Sequence, residues 1–350
     1  MSDAARPGQV QTVLGPLSPE NLGSTTTHEH ILIDFSCMFH PPAEASERQM
    51  AYAPVTMENL GWVRYDPFGN LDNLQVLNED EAVAEVERYG RFGGGTMVDA
   101  TTIGIGRDPL ALARISRATG VNVVMGAGYY VGVTHPAGLD DMTVDDVARQ
   151  IVGEVKDGVG ATGVRAGIIG ELGCTWPLED NERKVLVAAA HAQGETGASI
   201  LIHPGRDPRA PFEILDILEE AGADVARVVM GHIDRTVLDT KVVLELAERG
   251  SFLEYDLFGW EISHYPLAEW DMISDAQRLD YVQALLAEGY GDRLVLAQDV
   301  FCKSRTVAYG GMGFAHILEH IVPRMLARGV SREQVDTMLV GNPRKILTLV

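Results

Sequence analysis

The sequence predicts an α/β fold: a (β/α)8 TIM barrel with its active site at the C-terminal ends of the strands. Three observations carry that expectation. Eight short apolar runs rich in β-branched residues read as strands, at about 25–34, 94–102, 121–128, 165–172, 198–203, 227–233, 251–257 and 293–299. Stretches of helical periodicity lie between them. Residues of metal-ligand type recur near the ends of five of the runs. Strands that alternate with helices imply a parallel sheet, because parallel neighbours need a crossover. Eight such units in a chain of 350 residues suit one barrel domain spanning 1–350. An open doubly wound sheet is the competing topology.

The helical stretches are EDEAVAEVERYGRF (79–92), DPLALARISRATG (108–120), NERKVLVAAAHAQGETG (181–197), APFEILDILEEAG (210–222) and TVLDTKVVLELAERG (236–250). Several end in glycine, which suits a helix C-terminal cap. One long irregular insertion follows the first strand, at roughly 37–77, with Pro41, Pro42, Pro54, Pro67, Trp62 and Tyr65. Loops of that length in a compact domain are usually functional or ordered against a partner.

Composition narrows the function. The chain is 46% hydrophobic and 22% charged, enough for one large core. Its 28 basic and 50 acidic residues give a net charge of −22, which repels phosphate backbones and argues against nucleic-acid binding. Cys37, Cys174 and Cys302 are too few and too dispersed for a disulfide framework, which favours a reducing compartment. The N-terminus lacks a basic start followed by an apolar stretch, so no secretion signal is expected. No apolar run approaches the roughly 18 residues of a membrane span. A cytoplasmic protein acting on a small molecule is the expectation.

Six residues define the candidate chemistry: His28, His30, Glu171, His203, His232 and Asp299. They sit in THEHILID, AGIIGELG, ILIHPG, VVMGHID and LVLAQDV. Residues i and i+2 of a strand share a face, so His28 and His30 present their imidazoles together while Glu29 points away. An isolated H-x-H pair reads equally well as a solvated or core-satisfied pair. Four further ligand-type residues at strand ends change the balance, because those ends form one face of a barrel. Four imidazoles and two carboxylates suffice for two divalent ions sharing a bridge. Glu171 would bridge, with His28, His30 and Asp299 on one ion and His203 and His232 on the other.

These segments resemble the phosphotriesterase family of the amidohydrolase superfamily, in HEHILID, in VDATTIGIGRDPLALARIS and in the order of the ligand residues. GIIGELGCTWPL, LIHPGRDPRAPFEIL, GHIDRTVLD, FLEYDLFG and SRTVAYGGMGFAHILEHIVPRML resemble its phosphotriesterase-related branch, once called resiniferatoxin-binding. The resemblance implies a binuclear zinc hydrolase in which a metal-bridging hydroxide attacks a carbonyl or phosphoryl centre. It also implies a homodimer. In the founding phosphotriesterases the bridge is a carbamylated lysine; here Glu171 is already an anion. Those enzymes and the related lactonases carry a basic residue after the strand-seven aspartate; here Asp256 is followed by Leu257 and Phe258. The animal members of the branch hydrolyse N-acetyltaurine and similar compounds. The resemblance therefore implies an amidohydrolase of small anionic N-acyl compounds. Lactonase, esterase or phosphotriesterase activity is the alternative, and a metal-stabilised ligand-binding protein is the non-enzymatic one.

Asp299 is the expected catalytic residue, taking a proton as the nucleophile attacks and passing it to the leaving amine. Arg206 and Arg235 are candidates to clamp a substrate anion, with Lys303 and Arg305 in a similar position beyond Asp299. Tyr129, Tyr130 and Tyr255, with Trp176 and Trp260, are candidate pocket walls. Asp234 is the candidate to orient a ligand histidine. His316 and His320 share a helical face and read as a solvated or core pair. His40, His135 and His264 fall in loops that overhang the pocket, and His191 reads as structural. Cys174 and Cys302 lack a general-base partner, which disfavours nucleophilic cysteine chemistry.

Overall fold

The computed structural model describes residues 4–350; the first three residues of the predicted domain lie outside the described ones. Eight parallel strands form one sheet that curls into a nearly closed barrel. We number them β1 (Ser24–Glu29), β2 (Gly94–Asp99), β3 (Asn122–Ala127), β4 (Ile168–Gly173), β5 (Ile200–His203), β6 (Val228–Met230), β7 (Phe252–Tyr255) and β8 (Leu294–Leu296). Each strand pairs with its sequence neighbour from β1 through to β8. The eight predicted strands are present, and four of them, β2, β6, β7 and β8, stop two or three residues short of the expected C-terminal limit. The ligand-type residues 232 and 299 thus lie in the turns just beyond β6 and β8.

The crossover helices are α1 (Glu79–Arg91), α2 (Pro109–Thr119), α3 (Val144–Lys156), α4 (Asp180–Thr196), α5 (Ala210–Glu220), α6 (Thr240–Ala247), α7 (Asp275–Ala287) and α8 (Val322–Ala327). Their ends follow local chemistry. The Asp108 side chain accepts from the amides of Leu110 and Ala111 at the start of α2, where Pro109 occupies the first turn. Gly120 and Gly197 end α2 and α4 in the left-handed conformation, at φ 73° and 70°. The predicted helix at 236–250 is shorter than expected, because a one-turn helix, Ile233–Thr236, and a bend precede α6.

Strand parity sorts the side chains. On β7, Phe252 and Glu254 point into the barrel, while Leu253 and Tyr255 face the helices. Inward residues form an apolar layer at the lower end: Val98, Val124, Ile168, Leu201, Val229, Phe252 and Val295. Val10 from an N-terminal hairpin and Ile346 and Leu347 from the last helix plug that end. The upper interior is polar.

Between β8 and β1, side chain and backbone do the work of a ladder. The Asp299 amide donates to the His28 carbonyl (3.1 Å). The Glu29 carboxylate accepts from the amides of Gln298 (2.9 Å) and Val300 (3.1 Å), and also from the Thr26 hydroxyl (2.6 Å). Burial pushes this carboxyl up to about 7 despite those three donors.

The insertion after β1 is pinned at its base by a two-residue antiparallel ladder, Ile33 to Val76 and Asp34 to Gln75. It carries two short helices, Arg48–Tyr52 and Leu60–Tyr65. Its Phe35, Phe68 and Leu74 pack with Trp260, Tyr265 and Phe301 over the C-terminal end of the barrel. The insertion thus covers the functional face. Among the described residues, no helix is long and apolar enough to cross a membrane.

Candidate metal centre

The six candidate side chains converge on one point above the apolar layer. Glu171 stands in the middle. Its Oε1 lies 3.2 Å from Nε2 of His30. Its Oε2 lies 3.3 Å from Nε2 of His28, 2.9 Å from Nδ1 of His203 and 3.4 Å from Nε2 of His232. Asp299 Oδ1 is 3.3 Å from Nε2 of His30 and 4.0 Å from Nε2 of His28. All six residues are buried.

The local backbone explains how they reach that point. Gly170, at φ 125°, lets β4 come so close to β5 that an added Cβ would lie 2.1 Å from the Leu201 carbonyl oxygen. Glu171 follows it into the centre. His232 and Asp299 both sit in the left-handed region, at φ 52° and 50°. A non-glycine residue there is uncommon, and such positions cluster at functional sites. In both, the strand has just ended and the turn throws the side chain back over the barrel mouth.

Three of the imidazoles are held from behind through the other ring nitrogen. Nδ1 of His28 lies 3.1 Å from Glu254 Oε2 and 3.3 Å from Asp256 Oδ2. Nδ1 of His30 meets the Thr101 hydroxyl at 2.9 Å. Asp256 receives the His232 amide on Oδ2 (2.7 Å) and faces His232 Nδ1 with Oδ1 (2.8 Å). Fixing one ring nitrogen in this way orients the other and sets the tautomer. His203 is held differently: its Nε2 faces Nη2 of Arg235 at 3.0 Å, and the Tyr130 hydroxyl is 3.3 Å from its ring nitrogens.

The electrostatics are those of anions packed around imidazoles. Burial would raise the Glu171 carboxyl, but His28 and His203 hold it well below the usual carboxylate range. Burial would lower His28, yet Glu171, Asp256 and Glu254 around it lift it well above a free histidine. His203 goes the other way, lowered by burial and then by His232 and Arg235 beside it.

This donor set fits divalent cations. Nε2 of His28 is buried with no hydrogen-bond partner, although it faces two carboxylates. Ligand bonds of about 2.0–2.2 Å place neighbouring donor atoms roughly 3–3.5 Å apart, the spacing found around Glu171. His28, His30 and Asp299 form one convergent triad, and His28, Glu171 and His232 another. No lysine lies at the bridging position.

A narrow pocket opens above the centre, with Phe35, Phe68, Leu257, Trp260, Tyr265 and Phe301 among its walls. Arg206 and Arg235 both enter it. Arg206 Nε donates to the Tyr265 hydroxyl (2.5 Å), and Arg235 Nη2 also donates to the Pro204 carbonyl (3.1 Å). Among the described residues, neither guanidinium is paired with a carboxylate. Tyr130 lines the pocket as expected.

Other expectations need correction. Tyr129 and Tyr255 do not line the pocket. Strand parity turns both towards the helices, where Tyr129 donates to Gln150 of α3 (2.6 Å) and Tyr255 stacks on Tyr281 of α7. Trp176 lies under Arg209, away from the site. Asp234 touches no ligand histidine; it binds Arg278 Nε (2.7 Å) and the Leu257 amide (3.0 Å). The orienting carboxylates are Glu254, on β7, and Asp256, the residue just past its end. Lys303 pairs with Asp72 (2.6 Å), and Arg305 faces a neighbouring cavity. His264 stacks on Tyr65, and His135 Nε2 meets the Tyr130 carbonyl (2.8 Å). Burial pushes the Cys174 and Cys302 thiols upward, which keeps them protonated.

Comparison with known proteins agrees over nearly the whole chain. The model of the phosphotriesterase family matches residues 8–347. N-acetyltaurine hydrolase of Salmo salar is 47% identical over 99% of this chain and 99% of its own. N-acetyltaurine hydrolase of Homo sapiens is 45% identical over 97% of this chain and 98% of its own. The crystal structure of a resiniferatoxin-binding protein from Rhodobacter sphaeroides superposes with a TM-score of 0.94 at 38% identity, covering 97% of this chain and 95% of that one. The phosphotriesterase homology protein from Escherichia coli, complexed with phosphate in its active site, gives 0.77 at 26% identity, covering 93% of this chain and 99% of that one.

Proposed function

This chain is a hydrolase of the phosphotriesterase family, and from that premise we propose that it cleaves the amide bond of small anionic N-acyl compounds of the N-acetyltaurine type. The observation that carries the reading is the pair of guanidiniums beside the centre, Arg235 buried and Arg206 half-buried, neither with a carboxylate partner among the described residues. A buried cation left unpaired is costly, and a sulfonate or carboxylate of the substrate would satisfy both. The curated relatives described above support the same substrate class.

We take the centre to hold two zinc ions, with His28, His30 and Asp299 on one side, His203 and His232 on the other, and Glu171 shared. Such ions make a bound water acidic enough to act near neutral pH and polarise a carbonyl. The chain's own groups do the rest. Asp299 takes up the proton of the attacking water and returns it to the departing nitrogen, which an amine leaving group requires. Arg206, braced by Tyr265, and Arg235 bind the anionic end and so fix the distance from anion to scissile carbonyl. Tyr130 stands over His203, where its hydroxyl can donate to the carbonyl oxygen of the substrate. The apolar walls exclude bulk water, which strengthens each of these contacts. Leu257 and Phe258 follow Asp256 where lactonases of the family carry a basic residue, so the site lacks that second proton relay. A homodimer in the cytoplasm is the assembly and compartment we assign, with light scattering and fractionation as the respective checks.

The test is a comparison of kcat/KM for N-acetyltaurine, an N-acyl lactone and an aryl phosphotriester with the zinc-loaded protein. N-acetyltaurine is expected to lead by about tenfold or more, which is roughly 1.4 kcal/mol in transition-state binding. A lead of that size for the lactone or the triester overturns the reading.

A further inference from the structure

A second cavity, of about 520 Å³, lies behind Trp260, where the pocket over the metal centre has a volume of only about 20 Å³. Trp260 lines both spaces and is the partition between them. The larger cavity is of the size that holds small organic ligands. Its walls come from the insertion, from the segment after β7 and from the region after β8. Arg64, Arg305, Arg324, His316 and His320 all face it, in a chain whose net charge is −22. Two carboxylates also line it, and both have partners; Asp275 lies 3.9 Å from Arg324 Nη1. Asp275 binds Arg278 Nη1 (3.0 Å), His316 Nε2 (2.7 Å) and the Gly259 amide (2.9 Å). Glu261 accepts from the Asp275 amide (2.7 Å).

The wall holds two orphaned polar atoms. Arg305 is buried, stacked over Trp260 with its Cζ 5.2 Å from the ring centre. Its Nη2 donates to the carbonyls of Phe258 and Gln298, whereas its Nη1 is buried without a partner. His316 is buried as well, and its Nδ1 has no partner. An unsatisfied buried polar atom costs about 1–3 kcal/mol, and more when it is charged. Two such atoms belong to residues that wall one roomy, cation-rich cavity, which suits it to a complementary group.

We propose that this cavity is a second binding site, distinct from the catalytic pocket, for a small organic anion carrying a carboxylate or sulfonate. The oxyanion sits between Arg305 and His316, Arg324 and His320 hold it from the more exposed side, and its aliphatic part lies against Pro67, Ile262 and Met312. Arg305 ties the site to the backbone on both sides of the metal centre, since Gln298 immediately precedes Asp299.

The test uses butanesulfonate and butyrate titrated calorimetrically into the zinc-loaded full chain at low ionic strength. Two variants separate the sites. Arg324→Gln combined with His320→Gln alters exposed side chains at the cavity and is expected to weaken binding by about tenfold, leaving KM for the substrate unchanged. Arg206→Ala is expected to leave the cavity affinity within about twofold. A crystal soaked with 2-bromoethanesulfonate is expected to show an anomalous bromine peak in the cavity behind Trp260. Binding that disappears in Arg206→Ala but survives the paired variant overturns the proposal, as does a bromine peak only beside Arg206. Failure of either anion to saturate the protein in the millimolar range overturns it too.

Discussion

The two ends of the barrel interior are built from the same strands and do opposite things. At the lower end Val98, Val124, Ile168, Leu201, Val229, Phe252 and Val295 fill the space with hydrocarbon. At the upper end the interior is histidine and carboxylate. Strand β7 shows the change within three residues: Phe252 belongs to the apolar layer, and Glu254 two positions later backs His28. The pleat delivers both to the interior, and only the side-chain chemistry changes. Stability is therefore concentrated in one layer and reactivity in the next, and substitutions in the two layers should separate cleanly.

The largest separation is expected at Glu171. Glu171→Gln keeps the shape of the side chain but removes the charge shared between the two sides of the centre. We expect metal content and kcat to fall together, kcat by on the order of 10³-fold. Parallel metal analysis and steady-state kinetics check this, and retention of full activity breaks the comparison. Next comes the lower layer. Phe252→Ala should destabilise the fold by roughly 3–5 kcal/mol in denaturant titration, while the folded fraction retains its kcat. A kcat loss as large as its stability loss would mean the two layers are not separable.

A smaller effect is expected behind the histidines. Asp256→Asn leaves the packing intact but weakens the hold on His28 and His232, and metal affinity should drop about 10–100-fold in a competition assay with a chelator. At the substrate end, Arg206→Ala should raise KM for anionic N-acyl compounds about 10–100-fold and spare neutral analogues. The smallest effect sharpens the inward-outward rule itself. Tyr255→Phe and Tyr129→Phe should change kcat/KM by less than about twofold, because both rings face the helices.

The barrel was legible because each strand is a local pattern, an apolar run closed by a helix signal. The six central residues were legible for the same reason: each falls beside a strand end, and the topology alone gathers those ends. What failed was treating proximity to a strand end as sufficient. Parity already separates Tyr255 from Asp256, since one faces out when the other faces in. The error at Asp234 has another origin. Which carboxylate backs His232 depends on how β6 and β7 are registered, with Val229 opposite Phe252, and register across strands is not written in either strand. The Glu29 closure between β1 and β8 and the cavity behind Trp260 are non-local in the same sense, joining segments more than 200 residues apart in sequence.

In the proposed centre, Glu171 and five surrounding residues would hold two metal ions with nothing further to be assembled. Glutamate is ionised near neutral pH on its own, with an ordinary pKa of about 4.3, whereas a carbamylated lysine has to be formed from carbon dioxide. The most direct measurement is titration of the apo-protein with zinc, following N-acetyltaurine hydrolysis, with and without added bicarbonate. The account predicts that activity rises to a plateau at about two equivalents per chain and that the two curves coincide. Full activity at one equivalent or none, or a curve that rises only when bicarbonate is present, would contradict it.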